Sequence, residues 1–99
     1  MVTAFIMINA ERPRIAPASQ EILEIKGITE VYSVAGDYDL VAVARVRKNE
    51  ELAKLVTEDL IKIEGLTRTQ TLISFRQYSN FELDRIFSLG VECEDDPAK

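Results

Sequence analysis

Apolar runs rich in β-branched residues recur at four places along the chain and predict four β-strands. They occupy residues 2–9, 28–35, 38–46 and 67–78. The pair Gly36-Asp37, whose residues tolerate the backbone angles of tight turns, separates the second run from the third. The second and third strands are therefore predicted to form a hairpin.

Two stretches with apolar residues at helical spacing lie between the predicted strands. The first covers residues 17–26, because Pro17 fits a first helical turn and Gly27 follows the helix end. The second covers residues 49–63, with Asn49 as its predicted N-cap. The predicted order of elements is therefore βαββαβ.

A near-repeat supports this order. Residues 25–30 (Ile-Lys-Gly-Ile-Thr-Glu) are similar to residues 63–68 (Ile-Glu-Gly-Leu-Thr-Arg), and each segment follows a predicted helix and leads into a strand. Two copies indicate a duplicated βαβ unit and not a solenoid, which needs three or more repeats. We predict an α+β, ferredoxin-like fold, with both helices on one face of a four-stranded antiparallel sheet and strands one and three at its centre.

The two predicted central strands carry apolar residues on both of their faces. Neither face of residues 2–9 is polar, and residues 38–46 repeat the pattern. The helices cover one face only, so a second subunit is the simplest cover for the other, and we expect a dimer or a larger assembly. The alternative is that the small residues Ala4, Ala42 and Ala44 leave a shallow patch that needs no cover.

Composition excludes several kinds of site. The 99 residues fit one domain and include no histidine, no tryptophan and one cysteine. This excludes a Cys/His zinc site, a histidine-ligated haem, a Ser-His-Asp triad and an internal disulfide. Cys93 lies among acidic residues that disfavour its thiolate, so it is a poor nucleophile and suits a reducing cytoplasm. We expect a cytoplasmic protein with no metal, no cofactor and no membrane segment.

The net charge of −5, from 12 basic and 17 acidic residues, has the wrong sign for binding nucleic acid phosphates. Six acids and two bases lie in residues 77–99, which leaves eleven acids and ten bases in residues 1–76. In residues 79–99 we predict a short amphipathic helix, which packs on a neighbouring subunit or on its own domain, and an acidic tail. The chain thus divides into a domain of residues 1–78 and this C-terminal segment.

Hydrophilic residues stand beside apolar strands at two places: Asp37, Tyr38 and Asp39 in the hairpin, and Thr69, Gln70 and Thr71 in the last strand. The strand period of two puts Thr69 and Thr71 on one face, with Gln70 opposite. A carboxylate beside hydroxyls and backbone N–H groups suits a small zwitterion, whose ammonium group binds the acid. The alternative is that these residues have structural roles only, because Gly-Asp pairs are common in turns and threonine favours β-strands.

Residues 2–78 resemble the effector-binding (RAM) domain of the Lrp/AsnC family of feast/famine regulators. The resemblance rests on residues 34–40 (Val-Ala-Gly-Asp-Tyr-Asp-Leu), followed by a helix, and on residues 63–71 (Ile-Glu-Gly-Leu-Thr-Arg-Thr-Gln-Thr). It implies an amino-acid effector bound between subunits, and a sheet-to-sheet dimer that assembles into octamers or related rings. It also implies ligand-binding roles for six residues: Gly36, Asp37, Tyr38, Asp39, Thr69 and Thr71.

Members of that family carry a helix-turn-helix domain ahead of this one, and here the first predicted strand begins at Val2. We therefore expect a stand-alone effector domain that does not bind DNA directly. It would act as a free amino-acid sensor or as a partner of a full-length, DNA-binding relative. The alternative function is that of an enzyme, because small ferredoxin-like dimers also include cofactor-free monooxygenases. In such an enzyme, the candidate catalytic groups of this chain are Tyr32, Asp37 and Asp39.

Overall fold

The computed structural model describes residues 1–78 and contains four strands and two α-helices. In chain order they are β1 (Val2–Ala10), α1 (Ile15–Leu23), β2 (Ile28–Ser33), β3 (Leu40–Val46), α2 (Asn49–Lys54) and β4 (Leu66–Ile73). The strands form one antiparallel sheet in the order β2-β3-β1-β4. The predicted ferredoxin-like fold is confirmed, and so is the central position of the first and third strands.

The core lies between the sheet and the helices. Alternate residues of the two central strands, among them Ile6, Ile8 and Leu40, are fully buried on this side. The helices contribute Ile22 and Leu52 to the same cluster. Each fully buried aliphatic side chain of this size contributes about 1.5–3 kcal/mol. Both helices therefore cover one face of the sheet, as predicted.

The opposite face of the sheet, called the helix-free face below, is also mainly apolar. Residues that pair directly across strands share a face, and Phe5 and Met7 of β1 pair with Val43 and Val41 of β3. Leu72 of β4 extends the row beside Phe5. Phe5 and Leu72 keep 40% and 46% of their surface exposed. Two large apolar side chains thus remain exposed on this face.

The three alanines of the alternative interpretation lie on the other face. Ala4 pairs with Ala44, and Ile6 pairs with Ala42, so these residues point toward the helices. All three alanines are fully buried there. The interpretation of a shallow alanine patch is therefore wrong, because the side chains that it assigned to solvent belong to the core.

α1 begins two residues before Pro17 and ends earlier than predicted. A 3₁₀ turn, Arg12–Arg14, leads into the helix, so Pro17 falls in its first turn, where an N–H has no intrahelical partner. At the other end, the N–H of Ile25 donates to the carbonyl oxygen of Ile22 (3.0 Å), a tighter turn than an α-helix makes. Gly27 then adopts a φ of +102°, which favours glycine.

The second helical region is less regular than the predicted helix of residues 49–63. A π turn, Leu55–Asp59, follows α2, and a 3₁₀ turn, Leu60–Lys62, follows the π turn. Leu55 and Leu60 are both 2% exposed. They lie five residues apart, which is the spacing of π-type hydrogen bonds, so the wider turn directs both leucines into the core.

Asn49 is not the N-cap of α2, contrary to the prediction. Lys48 occupies that position and makes no side-chain cap. Instead, Oε1 of Glu51 accepts the backbone N–H of Arg47 at 2.9 Å, and this bond holds the pKa of Glu51 below its usual range. A carboxylate in the first turn of α2 therefore binds the backbone just before the helix, and no side chain caps the helix at Lys48.

The strand ends differ from the prediction on both sides of the hairpin. β2 ends at Ser33 and β3 begins at Leu40, so residues 34–39 form a loop. β4 ends at Ile73, five residues short of the predicted end.

No helix within the described residues is long and apolar enough to span a membrane. The predicted helix and acidic tail of residues 79–99 lie outside the described part of the chain.

Candidate functional site

The loop of residues 34–39 is tied to the sheet by its backbone. The N–H of Val34 donates to the carbonyl oxygen of Asp39 (3.0 Å), and the N–H of Asp39 donates to the carbonyl oxygen of Ile8 (2.9 Å). Gly36 adopts a φ of +131°, which favours glycine, and a Cβ atom added there would meet no atom within 4 Å. Backbone geometry therefore requires Gly36, and the space around it is open.

The carboxylate of Asp39 anchors the loop to the end of β1. Its Oδ2 accepts the backbone N–H of Ala10 at 3.0 Å and the side-chain amide of Asn9 at 3.3 Å. The bond from Ala10, followed by that from Asn9, holds the pKa of Asp39 below its usual range. The Asp39 carboxylate is thus bound within its own subunit, and its role in ligand binding stays a prediction.

Asp37 presents its carboxylate to solvent. Asn9 donates its side-chain amide to the carbonyl oxygen of Asp37 at 3.0 Å, so the backbone at this position is held. The side chain is exposed, and its carboxylate makes no hydrogen bond or salt bridge to any other residue of the described chain. Of the predicted set, Asp37 therefore best fits the role of binding an ammonium group.

Tyr38 crosses from the loop to the helix-free face of β4. Its hydroxyl donates to Oε1 of Gln70 at 2.6 Å, and the guanidinium carbon of Arg68 lies 4.6 Å from its ring centre, within cation–π range. Gln70 and Arg68 pair with Met7 and Asn9 of β1, which places them on this face. Tyr38 therefore joins the loop to the outermost strand.

Thr69 and Thr71 lie on the other side of β4, toward the helices. They pair with Ile8 and Ile6, whose side chains are in the core, so their predicted common face, with Gln70 opposite, is confirmed. Thr69 lines a cavity of 240 Å³, called the α2–β4 cavity below. Its other lining residues are mainly aliphatic: Val56, Leu60, Ile61, Ile63, Leu66, Thr67 and Arg68.

The structure brings together only part of the predicted set. Within residues 1–78, no hydrogen bond joins the loop to Thr69 or Thr71, because these threonines face the other side of the sheet. Three side chains outside the predicted set contact the loop instead: those of Asn9, Arg68 and Gln70. Asn9 could have been found as the polar residue that interrupts the apolar run of β1. The contacts of Arg68 and Gln70 with Tyr38 depend on the path of the loop, which cannot be predicted from the spacing of residues in the sequence.

Two of the three candidate groups of the enzymatic alternative, Tyr32 and Asp39, are poorly matched to proton transfer. Hydrogen bonding to Glu30, followed by the negative charge of Glu30, raises the pKa of Tyr32, and the pKa of Asp39 is lowered. General acids and bases work best with a pKa near the working pH, so both shifts are unfavourable. Residues 1–78 also contain no group of three or more His, Cys, Asp or Glu side chains that could hold a metal ion.

The fold and the loop together define a small α+β domain of the ferredoxin-like class, with a candidate ligand loop at one end of its sheet. The sequence matches the family described as the Lrp/AsnC ligand binding domain over residues 3–83. The match covers more than half of the chain. The chain therefore belongs to the Lrp/AsnC family.

Known relatives agree with this assignment. An uncharacterised HTH-type transcriptional regulator of Pyrococcus furiosus is 36% identical over 77 residues, which cover 74% of this chain and 51% of the regulator. A crystal structure of a Thermus thermophilus protein is 42% identical, with a TM-score of 0.76 over 81% of this chain and 100% of that chain. A feast or famine regulatory protein of M. tuberculosis, complexed with L-methionine, shares the fold. Its identity is 23% and its TM-score 0.67, over 82% of this chain and 54% of that chain. The chain thus spans about half the length of these regulators.

Proposed function

We propose that this chain is an effector-binding module that recognises a free amino acid and acts in transcription regulation. Its family is described as a ligand-binding domain, and its relatives include transcriptional regulators. The observation that carries the proposal is the loop of residues 34–39, which Asn9 and Tyr38 hold while the Asp37 carboxylate stays exposed. A loop that is already ordered loses little entropy when it binds a ligand.

In this proposal the ammonium group of the amino acid binds Asp37. The ligand carboxylate binds backbone N–H groups, and Thr69 and Thr71 supply hydroxyls. Because the threonines and the loop lie on opposite sides of β4, these two parts come from different copies, which meet through a contact other than the helix-free face. The M. tuberculosis relative that was crystallised with L-methionine supports an amino acid as the class of ligand.

We also infer that the subunits pair through the helix-free face. Phe5 and Leu72 lie side by side on that face and are both substantially exposed, and contiguous apolar surface of this kind marks an interaction site. The assembled module then acts as an amino-acid sensor on its own or within oligomers of a DNA-binding relative. The proposal does not include enzymatic activity, and the directions of the pKa shifts of Tyr32 and Asp39 do not favour proton transfer by these two groups at neutral pH.

A thermal-shift screen of the twenty amino acids tests the proposed function. A ligand present at one hundred times its dissociation constant stabilises the folded state by about 2.7 kcal/mol, provided that it does not bind the unfolded chain. We expect one amino acid, or a few related ones, to raise the melting temperature. An unchanged melting temperature with all twenty would contradict amino-acid binding.

A further inference from the structure

Uncovered apolar surface lies along the helix side of β4. The α2–β4 cavity, of 240 Å³, lies beside the first half of the strand, and Ile61 at its rim is 72% exposed. Ile73, at the other end of the strand, lies on the same side of the sheet as its pairing partner Ala4 and is 54% exposed. The cavity, Thr69, Thr71 and Ile73 together line one groove, called the β4 groove below. Contiguous apolar surface of this kind marks an interaction site.

The chain leaves the sheet at one end of this groove with further apolar side chains. β4 ends at Ile73, and beyond it Phe75 is fully exposed and Tyr78 is 83% exposed. Residues 79–99 follow, and their sequence places Leu83, Ile86 and Phe87 at the spacing of one helix face. An amphipathic helix is stable when its apolar face is buried against another surface. The chain therefore carries both an uncovered groove and a segment that needs a cover.

We propose that residues 79–89 form a helix that folds back into the β4 groove of the same subunit. In this arrangement Leu83, Ile86 and Phe87 pack against the mainly aliphatic walls of the cavity. Gly90 follows the helix end, a position that favours glycine. Groove and segment thereby remove each other's apolar surface from water. The helix-free face lies on the other side of the sheet, so this contact leaves it available for the pairing of subunits.

The length of chain beyond β4 fits this arrangement. Thr69, at the cavity, lies about 13 Å along β4 from Ile73, because a strand rises about 3.3 Å per residue. Residues 74–78 have no regular secondary structure. Extended at the same rise, they span about 16 Å, and the first turn of the helix adds about 5 Å. Leu83 therefore reaches the cavity of its own subunit, and the chain has length to spare for the change of direction.

Docking has a consequence for the ligand site, and this consequence rests on the proposed function. Thr69 and Thr71 lie in the β4 groove, so the docked helix covers the hydroxyl groups that the proposed function assigns to the ligand. An amino acid that binds these hydroxyls must displace the segment. The apparent affinity for the ligand is then lowered in proportion to the fraction of chains in which the groove is open. The C-terminal segment thereby acts as an autoinhibitor.

Disulfide trapping tests the docking in the full chain. In a Cys93→Ser background, Ile61→Cys and Phe87→Cys leave two thiols in each chain. Docking brings the two positions close enough to reach the range of about 4.4–6.8 Å between Cα atoms that disulfides span. We expect mild oxidation to give an intrachain disulfide, which keeps the mass of one chain and speeds migration in a non-reducing gel. The matched control pairs Phe87→Cys with Leu23→Cys, an exposed position of α1, which packs on β2 and β3, and should stay reduced.

Three outcomes of the trapping experiment would overturn the proposal. A disulfide between two chains would show that the segment docks on a neighbouring subunit. Equal cross-linking to Ile61→Cys and to Leu23→Cys would show that the segment has no fixed site. The absence of a cross-link to either position would exclude contact with the β4 groove.

Limited proteolysis tests the docking without new thiols. Arg85 is the only basic residue in residues 79–98, so trypsin cuts this segment at one site, and mass spectrometry follows the product. We expect Phe87→Asp, which places a charge against the cavity, to speed cleavage roughly tenfold, because cleavage follows the population of the open form. Leu89→Asp is the matched control, because Leu89 lies on the other side of the proposed helix and its rate should stay native. Equal rates in all three proteins would contradict the docking.

The same two variants test the competition with the ligand. With each of the twenty amino acids at one fixed concentration, we expect a larger rise in melting temperature for Phe87→Asp than for the native chain. Leu89→Asp should give the native rise. An equal rise in Phe87→Asp would show that the segment does not exclude the ligand. No rise in any of the three proteins would contradict amino-acid binding and with it the competition, whereas the docking is decided by the trapping experiment alone.

Discussion

Two carboxylates that lie two residues apart in the same loop have different environments. Asp39 accepts hydrogen bonds from Ala10 and Asn9, whereas the Asp37 side chain makes none within the described chain. The fold therefore uses one charge to hold the loop and leaves the other exposed to solvent. Substitutions at the two positions should have separable effects, one on stability and one on affinity.

Substitution of Asp37 should weaken ligand binding without unfolding the domain. The change Asp37→Ala removes one charge-assisted hydrogen bond, worth about 1.5–3 kcal/mol, so affinity for the amino acid should fall roughly ten- to a hundredfold. Thr71→Val keeps the shape of its side chain and should have a smaller effect. Calorimetry measures both affinities. Unchanged affinity in a folded Asp37→Ala variant would place the site elsewhere, and loss of the oligomer would instead assign the loop to a subunit contact.

Substitution of Asp39 should change the pH dependence of stability. The pKa of Asp39 is lowered on folding, so its charge contributes stability that is fully present above the ordinary aspartate pKa of about 3.9. That stability is lost as the pH falls through the folded-state pKa. We therefore expect Asp39→Asn to be less stable than the native chain at neutral pH, with a difference that shrinks in acid.

Urea unfolding at a series of pH values measures this difference. Asp37→Asn is the matched control, because it removes a charge from the same loop at a position whose carboxylate makes no hydrogen bond in the described chain. A stability difference for Asp39→Asn that stays constant from neutral to acid pH would show that the carboxylate does not anchor the loop.

At the scale of elements, the junction between β1 and β4 depends on a close approach of two loops. The N–H of Glu11 donates to the carbonyl oxygen of Gly65 at 2.8 Å, and Nε of Arg14 donates to that of Glu64 at 3.1 Å. Gly65 has a φ of +94°, and a Cβ atom added there would lie 2.6 Å from Cβ and Cγ of Arg14. These Arg14 atoms are close to the backbone and have little freedom to move.

Alanine substitution should therefore cost more at Gly65 than at Gly36. A positive φ costs an L-residue roughly 1–2 kcal/mol, and both sites incur this cost. Gly65→Ala adds the contact with Arg14, so we expect it to lose about 2 kcal/mol or more of unfolding free energy and Gly36→Ala about 1 kcal/mol. Chemical denaturation compares the two variants. Equal losses would show that Arg14 moves aside without cost.

The order of elements could be predicted from the sequence, because each apolar run has the period of a strand or of a helix. The topology could be predicted as well, because few arrangements place the two strands that are apolar on both faces next to each other. The residues at which the elements end could not be predicted from the sequence, because they depend on tertiary contacts. The π turn exists because Leu55 and Leu60 both pack in the core. Likewise, the motif identifies the loop of residues 34–39, but its contacts with Asn9 and Gln70 join residues 28 and 32 positions apart.

At the scale of the whole molecule, a charge on the helix-free face should dissociate the subunits. Phe5→Lys places an ammonium group on this face, and an unpaired charge buried in an interface costs several kcal/mol. Light scattering should show a smaller assembly. Leu23→Lys is the matched control, because Leu23 of α1 is 45% exposed and lies on the opposite side of the sheet. A native-size assembly of Phe5→Lys would exclude the helix-free face as the contact.

Lysine substitutions at Val43 and Ile6 distinguish the two faces of the sheet, because Val43→Lys places a charge on the helix-free face and Ile6→Lys places one in the core. Val43 pairs with Phe5 on the helix-free face, whereas Ile6 is fully buried under the helices. Ile6→Lys should therefore unfold the domain instead of separating folded subunits.

The charge of the whole chain should prevent DNA binding by this chain alone. A net charge of −5 repels phosphates, and the repulsion is strongest at low salt. Gel-shift assays at low ionic strength should show no complex with duplex DNA. Tight binding would require a basic surface that forms only on assembly. Mutation of Arg45 in β3 and of Arg47, one residue beyond β3, would test whether they contribute to that surface.

Of the four strands of this sheet, β1 is synthesised first, yet it lies inside the finished sheet, between β3 and β4. Ile6 pairs with Ala42 on one side and with Thr71 on the other. At about 5–20 residues per second, a ribosome needs roughly 3–13 s to add the residues that separate Ile6 from Thr71. Throughout that interval one side of an apolar strand stays open, which exposes the nascent chain to the kind of aggregation that chaperones prevent.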